Sequence, residues 1–174
     1  MADPALEIRR LHSADLAAYK ALRDATLADD PTAFTSDAET ESRKAPDAYL
    51  PRLGLGAPLG GVFTIGALRD GMLLGAVSCE RDMRIKVRHI GHVIGMMVRA
   101  DRRGQGIGRR LIDACIAEAR RGDGVEMLTL TVTASNAGAV HVYERAGFAR
   151  YGSLPHAIKV ADRYHAKDQM VLML

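Results

Sequence analysis

The stretch Val93-Ile94-Gly95-Met96-Met97-Val98-Arg99-Ala100-Asp101-Arg102-Arg103-Gly104-Gln105-Gly106-Ile107-Gly108-Arg109-Arg110-Leu111 decides how this chain is read. An apolar run of strand character enters a charged turn, meets three glycines and opens into a helical pattern. The first backbone N–H groups of such a helix have no intrahelical partner, and the helix dipole adds positive potential behind them. Glycines let an anionic group come close to the backbone. Arg102, Arg103, Arg109 and Arg110 flank the turn and offer charge-assisted hydrogen bonds to phosphate oxygens. The implied chemistry is pyrophosphate binding. Neither common nucleotide fingerprint fits: no Lys-Ser/Thr follows at P-loop spacing, and the Gly104–Arg109 run lacks the dinucleotide pattern.

Working outward, residues 106–121 predict a helix with Ile107, Leu111, Ala114 and Cys115 on one face. Residues 125–133 predict a strand, and residues 137–146 a short helix closed by Gly147 with Phe148 packing back. Upstream, residues 62–68 and 72–80 predict a hairpin around Asp70-Gly71, followed by an extended segment over 88–98. Residues 6–11 predict a first strand, and Ser13 is the expected N-cap of a helix to residue 28. The polar stretch 32–53 predicts a short helix, since Pro46 and Pro51 argue against one long one. Two final strands are expected, near 148–160 and 169–174. The order predicts one α/β domain over 1–174 with a mixed sheet.

Composition narrows the classes. The 174 residues carry 26% charged and 48% hydrophobic residues, the balance of a folded protein. Aromatics make up 5%, with no Trp, too few for a protein that stacks bases. The net charge of +3 is small, and its clusters are Arg102–Arg110 and Arg84-Ile85-Lys86-Val87-Arg88. The first brackets the glycine loop, which favours a small polyphosphate ligand over nucleic acid. Cys79 and Cys115 have no metal-ligand or disulfide spacing, so no metal is expected. The start, Met-Ala-Asp-Pro-Ala, shows no leader pattern, and no apolar run is long enough for a bilayer. A soluble, cytoplasmic protein is the expectation.

A second segment carries chemistry: Val132-Thr133-Ala134-Ser135-Asn136-Ala137-Gly138-Ala139-Val140-His141-Val142-Tyr143-Glu144-Arg145-Ala146-Gly147-Phe148. Asn136 and Tyr143 are seven positions apart, about two helical turns, so both fall on nearly one face. Asn136 also suits a helix cap, and Tyr143 suits a core aromatic. With the glycine loop upstream, the arrangement resembles the GNAT superfamily of acetyl-CoA-dependent N-acyltransferases. The likeness lies in Arg103-x-x-Gly106-x-Gly108 after Met96-Met97-Val98, and in the strand–Asn–helix–Tyr–Gly-Phe segment.

The resemblance implies a mixed, splayed sheet of about six to seven strands flanked by helices. It implies acetyl-CoA as cofactor, with the pantetheine arm along the backbone of Met96, Met97 and Val98. Its pyrophosphate would lie on Arg103, Gly104, Gln105, Gly106, Ile107, Gly108 and Arg109. Asn136 would hold a pantetheine amide, and Tyr143 would protonate the departing sulfur as general acid. Many members carry a glutamate base on the pantetheine strand, but Arg88-His89-Ile90-Gly91-His92-Val93 has none. His92 stands near that position, with Glu80 on the preceding strand as a weaker candidate and water as the alternative.

Phe34, Glu39 and Glu41 resemble the acceptor-binding segment of small bacterial members, although two acids in a polar loop also suit a solvated face. The implied reaction is direct attack of a primary amine on the thioester in a ternary complex, the amine being a small molecule. Peptide N-termini or lysines, and a non-catalytic acyl-CoA sensor, are the alternatives. A homodimer is expected from the resemblance; nucleic-acid and membrane partners are not.

Overall fold

The computed structural model describes residues 5–174; residues 1–4, where the leader pattern was sought, lie outside the described residues. Seven strands form one sheet in the order β1-β2-β3-β4-β5-β7-β6. The strands are β1 (Glu7–Arg10), β2 (Phe63–Arg69), β3 (Met72–Arg81), β4 (Ile90–Val98), β5 (Met127–Thr133), β6 (Ala149–Val160) and β7 (Arg163–Met173). Helices α1 (Leu16–Asp29), α2 (Ala38–Ser42) and α3 (Leu50–Leu53) lie between β1 and β2. Helices α4 (Ile107–Arg120) and α5 (Ala137–Arg145) follow β4 and β5. Every pairing is antiparallel except β4 with β5.

That exception positions the site. β4 and β5 pair only over Ile90–Met127, Gly91–Leu128 and His92–Thr129, and then diverge. Beyond the divergence β4 is held by β3 alone, with Val98 opposite Gly75 and Met97 opposite Ala76. The Arg99 N–H donates to Leu74 O at 2.9 Å. Backbone groups alternate sides along a ladder, so the N–H and C=O of Val98 and Met96 face away from β3, into the gap. This leaves a strand edge inside the molecule.

Two cores cover the two faces of the sheet. One packs α4 and α5 through Ile107, Leu111, Cys115 and Tyr143 onto Phe63, Val77, Val93 and Leu128. The other packs α1 and the 46–53 segment through Tyr19, Leu22, Tyr49 and Leu53 onto Ala76 and Met97. Val93 and Met97 are four residues apart and would share a face on a regular strand. They enter opposite cores because β4 carries an extra residue: Ser78 pairs Ile94 while Ala76 pairs Met97. Gly95, with φ of +59°, absorbs that bulge.

Several boundaries differ from the sequence reading. Ser13 does not cap α1; residues 13–15 form a 3₁₀ turn, and the Asp15 carboxylate accepts the His12 N–H at 2.9 Å while pairing with Arg9. β4 begins at Ile90 because residues 84–88 turn on themselves, with Arg88 N–H donating to Arg84 O at 2.9 Å. β5 begins at Met127 rather than residue 125. β7 starts at Arg163, six residues earlier than expected, because the chain reverses at Ala161-Asp162 and pairs Val160 with Arg163. The 32–53 stretch holds two short helices and a 3₁₀ turn, with Pro46 and Pro51 each at a helix start. The Asp70-Gly71 hairpin is as expected, both residues having positive φ.

Candidate active site

The gap between β4 and β5 opens into two cavities that share Ala33, Phe34, Met96, Asn136, Ala139 and Tyr143 in their walls. The larger, about 380 Å³, runs past Met97 and Val98 to Arg102, Arg103, Gly104, Gly106, Ile107, Gly108 and Arg109. The smaller, about 260 Å³, lies on the other side of Tyr143 and is walled by Arg23, Arg52, Thr131 and Lys167 among others.

The larger cavity ends at Arg102, Arg103 and Arg109, around the start of α4. The first intrahelical bond given by α4 is Arg110 N–H to Gly106 O at 3.1 Å, so the amides of Ile107, Gly108 and Arg109 precede the ladder. Gly104 and Gly106 hold φ of +76° and +77°, and a Cβ on either would meet nothing within 4 Å. The glycines therefore serve a backbone turn that side chains resist, and they leave a bare cradle outside it. The apolar run Met96–Val98 forms the wall leading from this cradle to Tyr143.

Most of the expected cofactor contacts fall in this wall, and one does not. Met96, Met97, Val98, Arg103, Gly104, Gly106, Ile107, Gly108, Arg109, Asn136 and Tyr143 line the larger cavity, whereas Gln105 is exposed outside its wall. Arg103 reaches back, with Nε 3.4 Å from Val98 O. The Arg109 guanidinium is already engaged by Asp113 at 2.7 Å and by Arg145 O at 2.8 Å. Asn136 is the N-cap of α5: its Oδ1 accepts the Ala139 N–H at 3.1 Å, and the residue stands in the walls of both cavities. Tyr143 is 6% exposed and packs edge-on against Phe148. Burial, helped by Cys115, pushes the Tyr143 phenol well above its ordinary value. The hydroxyl therefore stays protonated.

Four candidates for the acceptor side stand outside both cavity walls. His92 stands in neither wall; its ring is exposed, with Nδ1 2.7 Å from Thr129 Oγ1. Glu80, opposite His92 on β3, is exposed as well. Glu39 sits on the surface against Arg43 at 2.5 Å. Glu41 is 4% exposed and belongs to the framework, accepting Arg23 Nε at 2.7 Å, Tyr49 Oη at 2.6 Å and Lys44 Nζ at 2.5 Å. Burial alone would raise its carboxyl, but the bonds from Lys44, Tyr49 and Arg23 hold it at about 2. Burial and the bond to Glu41 push Tyr49 up to about 12. Phe34, by contrast, stands where the two cavities meet.

Sequence reasoning missed Arg23, Arg52 and Lys167. They come from α1, α3 and β7, and no local motif joins them. The two cysteines are free and buried in the core, in the wall of neither cavity.

Residues 19–148 match the Acetyltransferase (GNAT) family, and the chain belongs to that family, whose acetyl donor is acetyl-CoA. It is 30% identical over 92 residues to N-alpha-acetyltransferase 30 of Schizosaccharomyces pombe, spanning 53% of this chain and 61% of that protein. A GNAT-family acetyltransferase from Streptococcus pneumoniae superposes with a TM-score of 0.86 at 25% identity, covering 98% of this chain and 99% of its own. The protein yncA from Salmonella typhimurium, solved with its cofactor acetyl-CoA, shares the fold at a TM-score of 0.82 and 21% identity, covering 97% of this chain and 94% of its own. Among the described residues no helix is long and apolar enough to cross a membrane.

Proposed function

We propose that the chain moves an acetyl group from acetyl-CoA to a primary amine of a small molecule, by direct attack in a ternary complex. The observation that carries this reading is the meeting of a donor-shaped and an acceptor-sized cavity at Tyr143, across the opened β4 edge. Bound acetyl-CoA supplies an activated acetyl thioester. The chain's own part is positional and electrostatic.

The amides of Ile107, Gly108 and Arg109 receive the pyrophosphate at the positive end of α4. The outward-facing N–H and C=O groups of Met96 and Val98 hold the amide-bearing arm as an added strand would, and the Asn136 N–H groups close on it from α5. A β4 backbone N–H facing the gap stabilises the oxyanion. Tyr143 then gives its proton to the departing sulfur, for which its raised affinity for that proton makes it a stable reservoir. Among the described residues no carboxylate or imidazole lines the acceptor cavity, so the amine proton leaves through water.

The test is acetyl transfer read as thiol release, with wild type against Tyr143→Phe. A loss of turnover with acetyl-CoA affinity kept supports the reading. Equal turnover, under conditions where chemistry limits the rate, removes Tyr143 from it. Expectations of a cytoplasmic location and a homodimer stand as part of this proposal; light scattering tests the second.

A further inference from the structure

The acceptor-side cavity has an unusual charge balance. Among the described residues in its wall are Arg23, Arg52 and Lys167, and no aspartate or glutamate. Arg23 is neutralised by Glu41, 2.7 Å away and equally buried. Arg52 and Lys167 remain, and neither forms an ion pair with a described residue. Arg52 is held by Tyr19, whose Oη lies 3.2 Å from Nη1, and its guanidinium stands over the Tyr49 ring at 5.8 Å. It is also pressed to the β4 bulge: a Cβ on Gly95 would lie 3.4 Å from Arg52 Nη1. Lys167 faces the cavity from β7, where it pairs with Thr133 and Leu154.

Two cations in a partly enclosed cavity repel an ammonium group and have no internal counter-charge. Resting on the acetyltransferase reading above, we infer that the acceptor is an amine bearing its own anionic group, held by Arg52 and Lys167 while the nitrogen faces Tyr143. The occupant is thus an amino-acid-like zwitterion rather than a polyamine, a lysine side chain or a peptide N-terminus. Burial holds the Lys167 ammonium below its ordinary value, and an anion at its side reverses that effect. The same two cations favour loss of a proton from the bound ammonium, which suits a cavity with no general base. Arg52 is the better orienting group, since a guanidinium engages a carboxylate with two parallel hydrogen bonds.

The experiment compares free amino acids with their own carboxamides as acceptors for the intact protein, read as thiol release from acetyl-CoA. Aminoalkyl phosphonates and sulfonates form further arms that identify which anion fits. The expected result is a carboxylate-over-carboxamide ratio in kcat/KM of about 10-fold or more, as for a lost hydrogen bond to a charged group. Preference for a phosphonate or sulfonate arm over neutral amines supports the inference and renames the anion. Lys167→Met and Arg52→Gln should each collapse the ratio, and Lys167→Arg should restore part of it; a purely structural role would lower all acceptors alike. Carboxamides, polyamines or peptides acetylated as well as the carboxylates would overturn the inference, as would an unchanged ratio in both variants. Stabilisation by acetyl-CoA is measured alongside. If it is present while no anionic amine is acetylated, the acceptor assignment fails and the donor site stands. If it is absent, the donor reading fails and takes this inference with it.

Discussion

Tyr143 and Glu41 show how burial gives two polar side chains opposite duties. The Tyr143 side chain is buried in the apolar core, and burial, with Cys115 nearby, disfavours a phenolate. Its replacement by Phe removes one oxygen and little packing, so turnover should fall about 100-fold or more, the usual span of a lost general acid. Acetyl-CoA affinity, measured by calorimetry, should stay within a few-fold. Glu41 is enclosed too, but by Arg23, Lys44 and Tyr49. Glu41→Ala would leave the Arg23 charge buried alone and should cost about 3–5 kcal/mol in denaturant unfolding. The pH dependence follows from its depressed value. The stabilisation is complete above the unfolded carboxyl value, near 4.3, and is lost as pH falls toward about 2. His92 gives the contrasting case: with its ring outside both cavities, His92→Ala should leave the basic limb of the rate profile unmoved. A shifted limb would return His92 to the proton path.

At the scale of elements, the working feature is the separation of β4 from β5 after His92 and Thr129, together with the bulge at Gly95. Gly95→Ala places a Cβ at φ of +59° and 3.4 Å from Arg52. It should cost about 1–2 kcal/mol for the left-handed backbone alone, with a larger relative loss in acceptor KM than in acetyl-CoA affinity. Much of this level was legible in the sequence. The glycine loop, the Asp70-Gly71 hairpin and the two amphipathic helices are local patterns, each written within a few turns or pleats. The divergence and the bulge were not, because they depend on which strand faces which; Gly95 inside an apolar strand was the one local hint. The early half of β7 was hidden by its mostly polar residues 163–168, whose pairing with β6, and at Lys167 and Asp168 with β5, makes them a strand. The acceptor cavity was illegible for a related reason: Arg23, Arg52 and Lys167 meet only after α1, α3 and β7 have packed. In sequence Glu39 and Glu41 suited either acceptor ligands or a solvated face; Glu39 lies on the surface, whereas Glu41 turns inward to balance Arg23.

The whole molecule is a sheet pulled open at its centre, with one core on each face and a ligand path through the opening. Occupying that path with a donor that reaches from the α4 cradle to Tyr143 should tie β4, α4 and α5 together. The measurement that tests this most directly is thermal unfolding with and without acetyl-CoA, with ATP and NAD as anionic controls. At a ligand concentration about 100-fold above the dissociation constant, stabilisation should be about 2.7 kcal/mol, or about 5–10 °C for a chain of this size. A rise with acetyl-CoA and CoA and none with the controls is the predicted result. No rise at saturation, or an equal rise with ATP, would contradict the assignment of the glycine cradle and the opened strand to an acetyl-CoA site.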